Sequence, residues 1–305
     1  MTKTAEQYPV DKTNRVKRRH DRGFYDHETV HALLDAAALC HVSYVIDGQP
    51  YCTPTLFWRE GSRLYWHGSS ASRMLKNLSK GEPACLTATH LDSLVLARCA
   101  FNHSADYRAV MAFGHARLLD DQAEKEHALV MMVDRFFPQR TSQLRPSTKK
   151  EIKATAVVYM DIEKASAKIR ARGVVDDDED YALPIYAERI PVRMVLGAPE
   201  PCPRLLPGVK RPKTLSPYRA GRLLEDAVTE AYQTTYAGSP DKGGLRSITL
   251  MSCRARRCGF PAWPAMSAAT RTPSMNFCRV SRPGIAWPQG FAALSLLMSL
   301  RHGLF

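Results

Sequence analysis

The sequence predicts a mainly β protein, an antiparallel β-barrel with flanking helices. Strand-like runs follow one another across tight turns: Asp47-Gly48 and Glu60-Gly61-Ser62 each separate two such runs. Runs joined this closely pair as antiparallel neighbours. Helical periodicity is confined to a few short stretches, too few to supply the crossovers of a parallel sheet.

The elements follow in order. Asp26 caps a helix running to Leu39, with Val30, Leu33, Leu34 and Ala37 on one face. His41 to Ile46 and Gln49 to Trp58 form a hairpin across Asp47-Gly48. Pro50 and Pro54 cannot donate to a ladder, so the second strand belongs at an edge, at a bulge or against a ligand. Arg63 to His67 is the next strand, and a helix with Met74, Leu75 and Leu78 follows it. Ala84 to His90 and Leu94 to Cys99 read as a strand pair, and Ala100 to Asp106 as a polar loop. Tyr107 to Leu119 is a long strand whose Gly114 marks a bulge or a close backbone approach. Asp120 and Asp121 open a helix ended by Pro138. A short helix over Lys149 to Lys153 then leads into strands Ala154 to Ile162 and Ala167 to Arg170.

Four regions result. Residues 1–22 form a flexible basic arm and 23–170 the barrel domain; 171–212 is an acidic, then proline-spaced, wrapping extension; 213–305 is a low-order basic tail. From Lys213 onward there are twelve Lys and Arg against four Asp and Glu, and from Gly243 to Phe305 there is no Asp, Glu or Lys. Folded exteriors mix both signs, so this stretch has the composition of non-native or read-through sequence.

The formal charge is +13, but it is concentrated in the arm, Lys12 to Arg22, and in the tail. The barrel region is close to neutral, which argues against a nucleic-acid groove. Eight cysteines show no CxxC pair and no spacing of metal ligands, so no metal is expected and a reducing cytoplasm is the simplest compartment. No leader-like apolar segment opens the chain and no apolar run is long enough for a membrane span.

The chemistry-bearing stretch is Tyr65 to Leu78, YWHGSSASRMLKNL. Its turn places Ser69, Ser70, Ser72 and Arg73 at a helix start, where free N–H groups and a planar guanidinium suit a phosphate. The plain structural reading makes Ser70 or Ser72 an N-cap and Arg73 a solvated helix residue.

The order LDAAALCHVSYVIDGQPYCTPTLFW, YWHGSSASRMLKNL, DYRAVMAFGHARLL resembles the pyridoxamine-phosphate-oxidase-like flavin-binding split barrels, in the branch that includes the nitroimidazole-resistance proteins. The likeness covers about Arg22 to Arg211. It implies an antiparallel FMN-binding split barrel, a homodimer with FMN at its interface, and phosphate contacts from Ser69, Ser70, Ser72 and Arg73. Thr53, Pro54 and Thr55 would face the flavin ring, and Tyr107 and Arg108 would add a second set of contacts. His67 matches the histidine of that branch and is the candidate catalytic residue; its structural reading is a strand-end histidine bonded to backbone. Thr55 to Trp58 carries no basic residue where the oxidases proper have one.

The expectation is an FMN-dependent reductase of a small aromatic or nitro-aromatic substrate, with NAD(P)H as donor. A second class is a non-catalytic flavin or haem carrier or sensor, with His67, His90, His103 or His115 as an axial ligand.

Overall fold

The computed structural model describes residues 6–237. Its order is β1 (Gly23–Phe24), α1 (His27–Asp35), β2 (Leu39–Ile46), β3 (Gln49–Glu60), β4 (Arg63–Ser69), α2 (Arg73–Leu78), β5 (Lys80–Leu96) and β6 (Ser104–Leu118). After these come α3 (Gln122–Asp134), α4 (Lys149–Ala154), β7 (Thr155–Asp161), β8 (Lys164–Arg170), β9 (Glu188–Pro191) and α5 (Leu224–Thr235).

The strands pair as β1-β8-β6-β7-β4-β3-β2-β5-β9, and β5 also pairs with β6. That extra pairing closes β6-β7-β4-β3-β2-β5 into a six-stranded antiparallel barrel, which removes the central edges of the sheet. β6 is where the sheet divides. Its residues Tyr107 to Phe113 pair with β8 and Ala116 to Leu118 with β7. Gly114 lies at the division, where a Cβ would collide with the Asp161 carbonyl oxygen and sit 2.8 Å from Met160 Cγ. The close approach expected there is therefore real.

The interior is set by register. Val42 opposes Leu86, which opposes Ala112; Leu64 opposes Met160 and Trp66 opposes Val158. All are fully buried, so alternate positions of each strand fill the barrel. The Asp47-Gly48 turn has φ of 50° and 78°, the left-handed pair that a two-residue hairpin requires. From Gln49 to Leu56, β3 pairs with β2 alone. Pro50 and Pro54 share strand parity, so both imino nitrogens face the open side.

Several expectations change. α1 is capped by Asp26, whose carboxylate accepts from Thr29 N at 2.8 Å, but it ends at Asp35 because Leu39 pairs with Leu56 in β2–β3. The expected strand pair over Ala84 to Cys99 is one 17-residue strand with an irregularity between Leu91 and Ser93. Its alternation continues through the polar residues, and β6, at 15 residues, offers a partner nearly as long.

The basic arm is not loose over its described part. Tyr8 is buried, Asn14 donates to Pro9 O and Ala165 O, and Lys164 pairs with Asp11 at 2.7 Å. Within the extension, β9 adds to the edge of β5, with Ile190 opposite Leu94. Its acidic stretch is anchored by Asp176, which is buried and accepts from Arg98.

The expected low-order tail starts too early. α5 buries Ala227, Val228, Ala231 and Tyr232. Tyr232 Oη lies 2.6 Å from Arg59, and the fully buried Arg135 donates to Val228 O. Residues 213–237 thus belong to the fold. The Arg-rich stretch from Gly243 onward lies outside the described residues.

Candidate functional site

Strand parity sorts the expected site residues onto two faces. Thr55 opposes Cys40 and Thr53 opposes Val42, so both share the face of the barrel interior. Phe57 opposes Trp66 and Trp58 opposes Tyr65, which puts His67 on the other face with Trp58, Tyr65 and Pro54. Thr53 and Thr55 do not share a face with His67. Loop and strand spacing in the sequence did not reveal this, because the register of β3 on β4 is a tertiary result.

The first face centres on the hairpin tip. Tyr44 and Tyr51 stack with centroids 5.6 Å apart, and the Tyr44 hydroxyl lies 3.1 Å from Thr53 Oγ1. The Arg73 guanidinium sits 4.5 Å from the Tyr51 ring centre and forms no ion pair among the described residues. Asn77 Nδ2 donates to Val45 O, tying α2 to the hairpin.

The turn itself is less open than its sequence suggests. Ser70 N donates to Ala154 O, Ala71 N to Ser69 Oγ, and Ser72 N to Ser69 O. Ser72 is the N-cap and accepts from Leu75 N. Among the groups left for an anion are the Arg73 guanidinium and the Ser70 hydroxyl, beside an aromatic shelf. Tyr51 was missed; its alternation with Thr53 in a strand already singled out was the available signal.

Arg108 is spent inside the protein. It makes a bidentate pair with Asp92, at 2.7 and 3.0 Å, and a second bond to Glu225 of α5 at 2.8 Å. Tyr107 lies beside it, opposite Leu91. The two are remote from the hairpin tip in strand register, and the Arg108 charge is fully answered.

The second face is built around His67. Trp58 stacks on Tyr65 at 5.4 Å and 8°, with the His67 ring 6.5 Å from Trp58. Trp58, Val157, Leu119 and Ala128 form a buried cluster, with Tyr65, Tyr159, Leu129, Met131 and Met132 packed on it. α3 therefore roofs this side of the barrel with residues both apolar and soft. His67 Nδ1 and Trp58 Nε1 are buried without a hydrogen-bond partner among the described residues. Such orphaned polar atoms are costly and rare. Burial also holds the His67 pKa below its usual value, which keeps the imidazole neutral at pH 7.

The other candidate histidines are engaged. His90 donates to Leu33 O at 3.0 Å, His103 Nδ1 lies 2.9 Å from Cys99 O, and His115 Nδ1 lies 2.7 Å from Glu163. Cys99, Asp176 and Asp180 bring ligand-type atoms within 4.8 Å of one another, but both Asp176 oxygens are already bonded to Arg98. No helix among the described residues is long and apolar enough to cross a membrane.

The chain is thus a split antiparallel barrel with one aromatic, cationic edge and one histidine beneath a helix. The family model of pyridoxamine 5'-phosphate oxidase matches residues 26–169. The flavocytochrome Anf3 of Azotobacter vinelandii is 47% identical, with 71% of this chain and 100% of that one covered and a TM-score of 0.66. The FAD and heme binding protein of Mycobacterium smegmatis is 34% identical, with 67% and 98% covered and a TM-score of 0.63. A Bacteroides thetaiotaomicron protein assigned to 5-nitroimidazole antibiotic resistance is a more distant match, at 20% identity, 48% and 86% coverage and a TM-score of 0.42. No curated protein matches the chain. The chain belongs to the pyridoxamine 5'-phosphate oxidase-like family, a fold on which flavin-binding proteins are built.

Proposed function

We propose that this protein is a redox protein that binds a flavin nucleotide on one face of its barrel and a haem on the other. The observation that carries this reading is His67: a neutral, half-buried imidazole whose Nδ1 is buried without a hydrogen-bond partner among the described residues, on the opposite sheet face from Thr53 and Thr55. An axial ligand must be deprotonated, and a macrocycle needs an apolar, aromatic wall of the kind Trp58, Tyr65 and Met132 provide. A general acid has the opposite requirement, so the lowered pKa speaks against His67 as proton donor to a nitro-aromatic substrate. Two relatives above 30% identity, a flavocytochrome and an FAD and heme binding protein, support the same reading. The second of them also favours FAD over the FMN that the family resemblance implies.

On the flavin face, Arg73, Ser70 and Tyr51 would hold phosphate and ring, with Thr53 and Thr55 lining the strand. When bound, the flavin supplies two-electron chemistry, as with NAD(P)H, and the haem one-electron transfer. A small aromatic or nitro-aromatic acceptor is the substrate class carried over from the resemblance.

The second copy of this chain is the proposed partner. Leu39 and Leu56 oppose each other on β2 and β3, and they are 50% and 45% exposed; Leu91 and Met111 on β5 and β6 are 46% and 44% exposed. An apolar sheet face of this kind is an interface signature.

Purified protein should show flavin bands together with a Soret band, and acid release should yield FAD on chromatography. His67→Ala should remove the Soret band and leave the flavin. A wild-type spectrum without a Soret band overturns the haem assignment, and one without flavin overturns the other half.

A further inference from the structure

The segment from Arg140 to Ala154 is an exposed basic lobe. It carries Arg140, Arg145, Lys149, Lys150 and Lys153, against Glu151 as its one acidic residue. Glu151 is already used: it closes the capping box with Thr148 and pairs with Arg145 at 2.5 Å. Lys149, Lys150 and Lys153 form no ion pair among the described residues. Every residue from Ser142 to Lys150 is exposed, so the lobe is convex and offers no cavity walls to a small molecule.

Its position gives it meaning. Ala154 O accepts the Ser70 N–H at 2.9 Å, and Ser69 opposes Thr155. The lobe therefore abuts the turn that leads to Arg73, while His67 lies two residues back on the same strand, opposite Val157 of β7. The preceding helix and the two residues before it have the reverse charge, with Asp120, Asp121, Glu124, Glu126 and Asp134 against Lys125. The charge sign changes between these two consecutive segments of the chain, and a separation of this kind orients an approaching charged partner.

We infer that this lobe is the docking surface for a small acidic electron-carrier protein. The inference rests on the redox reading of the site beside it. Convexity selects a macromolecule, unpaired lysines select an acidic one, and adjacency to both cofactor faces selects one that exchanges electrons. Interfaces steered in this way are weak, fast and salt-dependent.

The test uses the purified full chain with two strongly acidic probes, a plant-type ferredoxin and a flavodoxin. Binding is measured by calorimetry at 50 and 500 mM salt, and electron transfer by stopped flow from each reduced probe. Wild type should bind at 50 mM salt and lose at least tenfold in affinity and rate at 500 mM. The variant Lys149→Gln/Lys150→Gln/Lys153→Gln should lose at least tenfold in both at 50 mM, with its melting temperature and cofactor content unchanged. Equal binding of variant and wild type, no binding of either probe, or tighter binding of transfer RNA than of either probe would overturn the assignment. Calorimetry does not need the cofactors. Salt-dependent binding by a protein without flavin or haem would retain an acidic-protein surface and overturn its electron-carrier role together with the redox reading.

Discussion

Gly114 and the Asp161 carbonyl oxygen share a space that no side chain can enter. Here β6 passes from β8 to β7, so its backbone must lie almost against the end of β7. The absent Cβ is what lets one strand serve both halves of the split sheet. Gly114→Ala should destabilise the fold by about 2 kcal/mol or more, because the obstacle is backbone and cannot rotate away. A denaturant midpoint equal to that of wild type would refute this.

One carboxylate gathers several residues of the wrapping extension. Asp106 accepts from Ser93, Arg170, Arg189 and the N–H groups of Arg172 and Gly173. Burial by itself would raise its pKa, but the bonds from Arg189 and Ser93 and the Arg170 charge outweigh it and hold it below the usual value. Its contribution is therefore complete above the unfolded carboxylate pKa, roughly 4, and is lost as pH falls through the lower folded value. Asp106→Asn should cost about 3 kcal/mol, since it leaves buried Arg170 without its counter-charge, and should abolish that acid limb. Urea titrations from pH 3 to 7 measure both effects.

His31 gives a second pH dependence of the same sign. Desolvation, with the nearby Arg59 charge, lowers its pKa to about 3, and Tyr8 Oη lies 2.7 Å from its Nε2. A buried neutral histidine stabilises the fold fully above its unfolded pKa near 6.5, and that contribution declines down to pH 3. His31→Gln should flatten the stability profile between pH 6.5 and 4. A slope unchanged from wild type would show that His31 is not its source.

Arg73→Ala should weaken flavin binding by about 1.5–3 kcal/mol, the scale of a charge-assisted hydrogen bond, and leave haem content intact. Tyr51→Leu should weaken it less, through loss of the shelf beneath the guanidinium. A flavin dissociation constant unaffected by Arg73→Ala would remove this residue from the site.

A chain ending at Pro212 should lose its cooperative unfolding transition, whereas one ending at Ala237 should keep it. The shorter chain strips α5 from Arg59, Arg135 and Arg108, three partly or fully buried cations that α5 groups contact. Differential scanning calorimetry of the two truncations distinguishes them.

The sequence by itself determined much of the barrel. The Asp47-Gly48 hairpin and the Ser72 cap are local chemistry, set by residues within a few positions of one another; Gly114 announced a close approach but not its partner, and the helix expected to run to Pro138 ends at Asp134. The turn from Ser69 to Ser72 into its helix was legible for the same reason. What the sequence could not determine was which distant groups meet. The Ser69–Ser72 amides looked free, yet Ala154 and the turn's own oxygens claim three of them. Arg108 looked available, yet α5 and β5 neutralise it from 117 and 16 residues away. The arm and the first part of the tail looked solvated because their few apolar and polar anchors, Tyr8, Asn14, Val228 and Tyr232, have no local partners. Their partners are supplied only when the barrel has closed. The decisive case is the separation of His67 from Thr53 and Thr55. Side-chain direction alternates residue by residue, so only the tertiary register of β3 on β4 could put them on opposite faces.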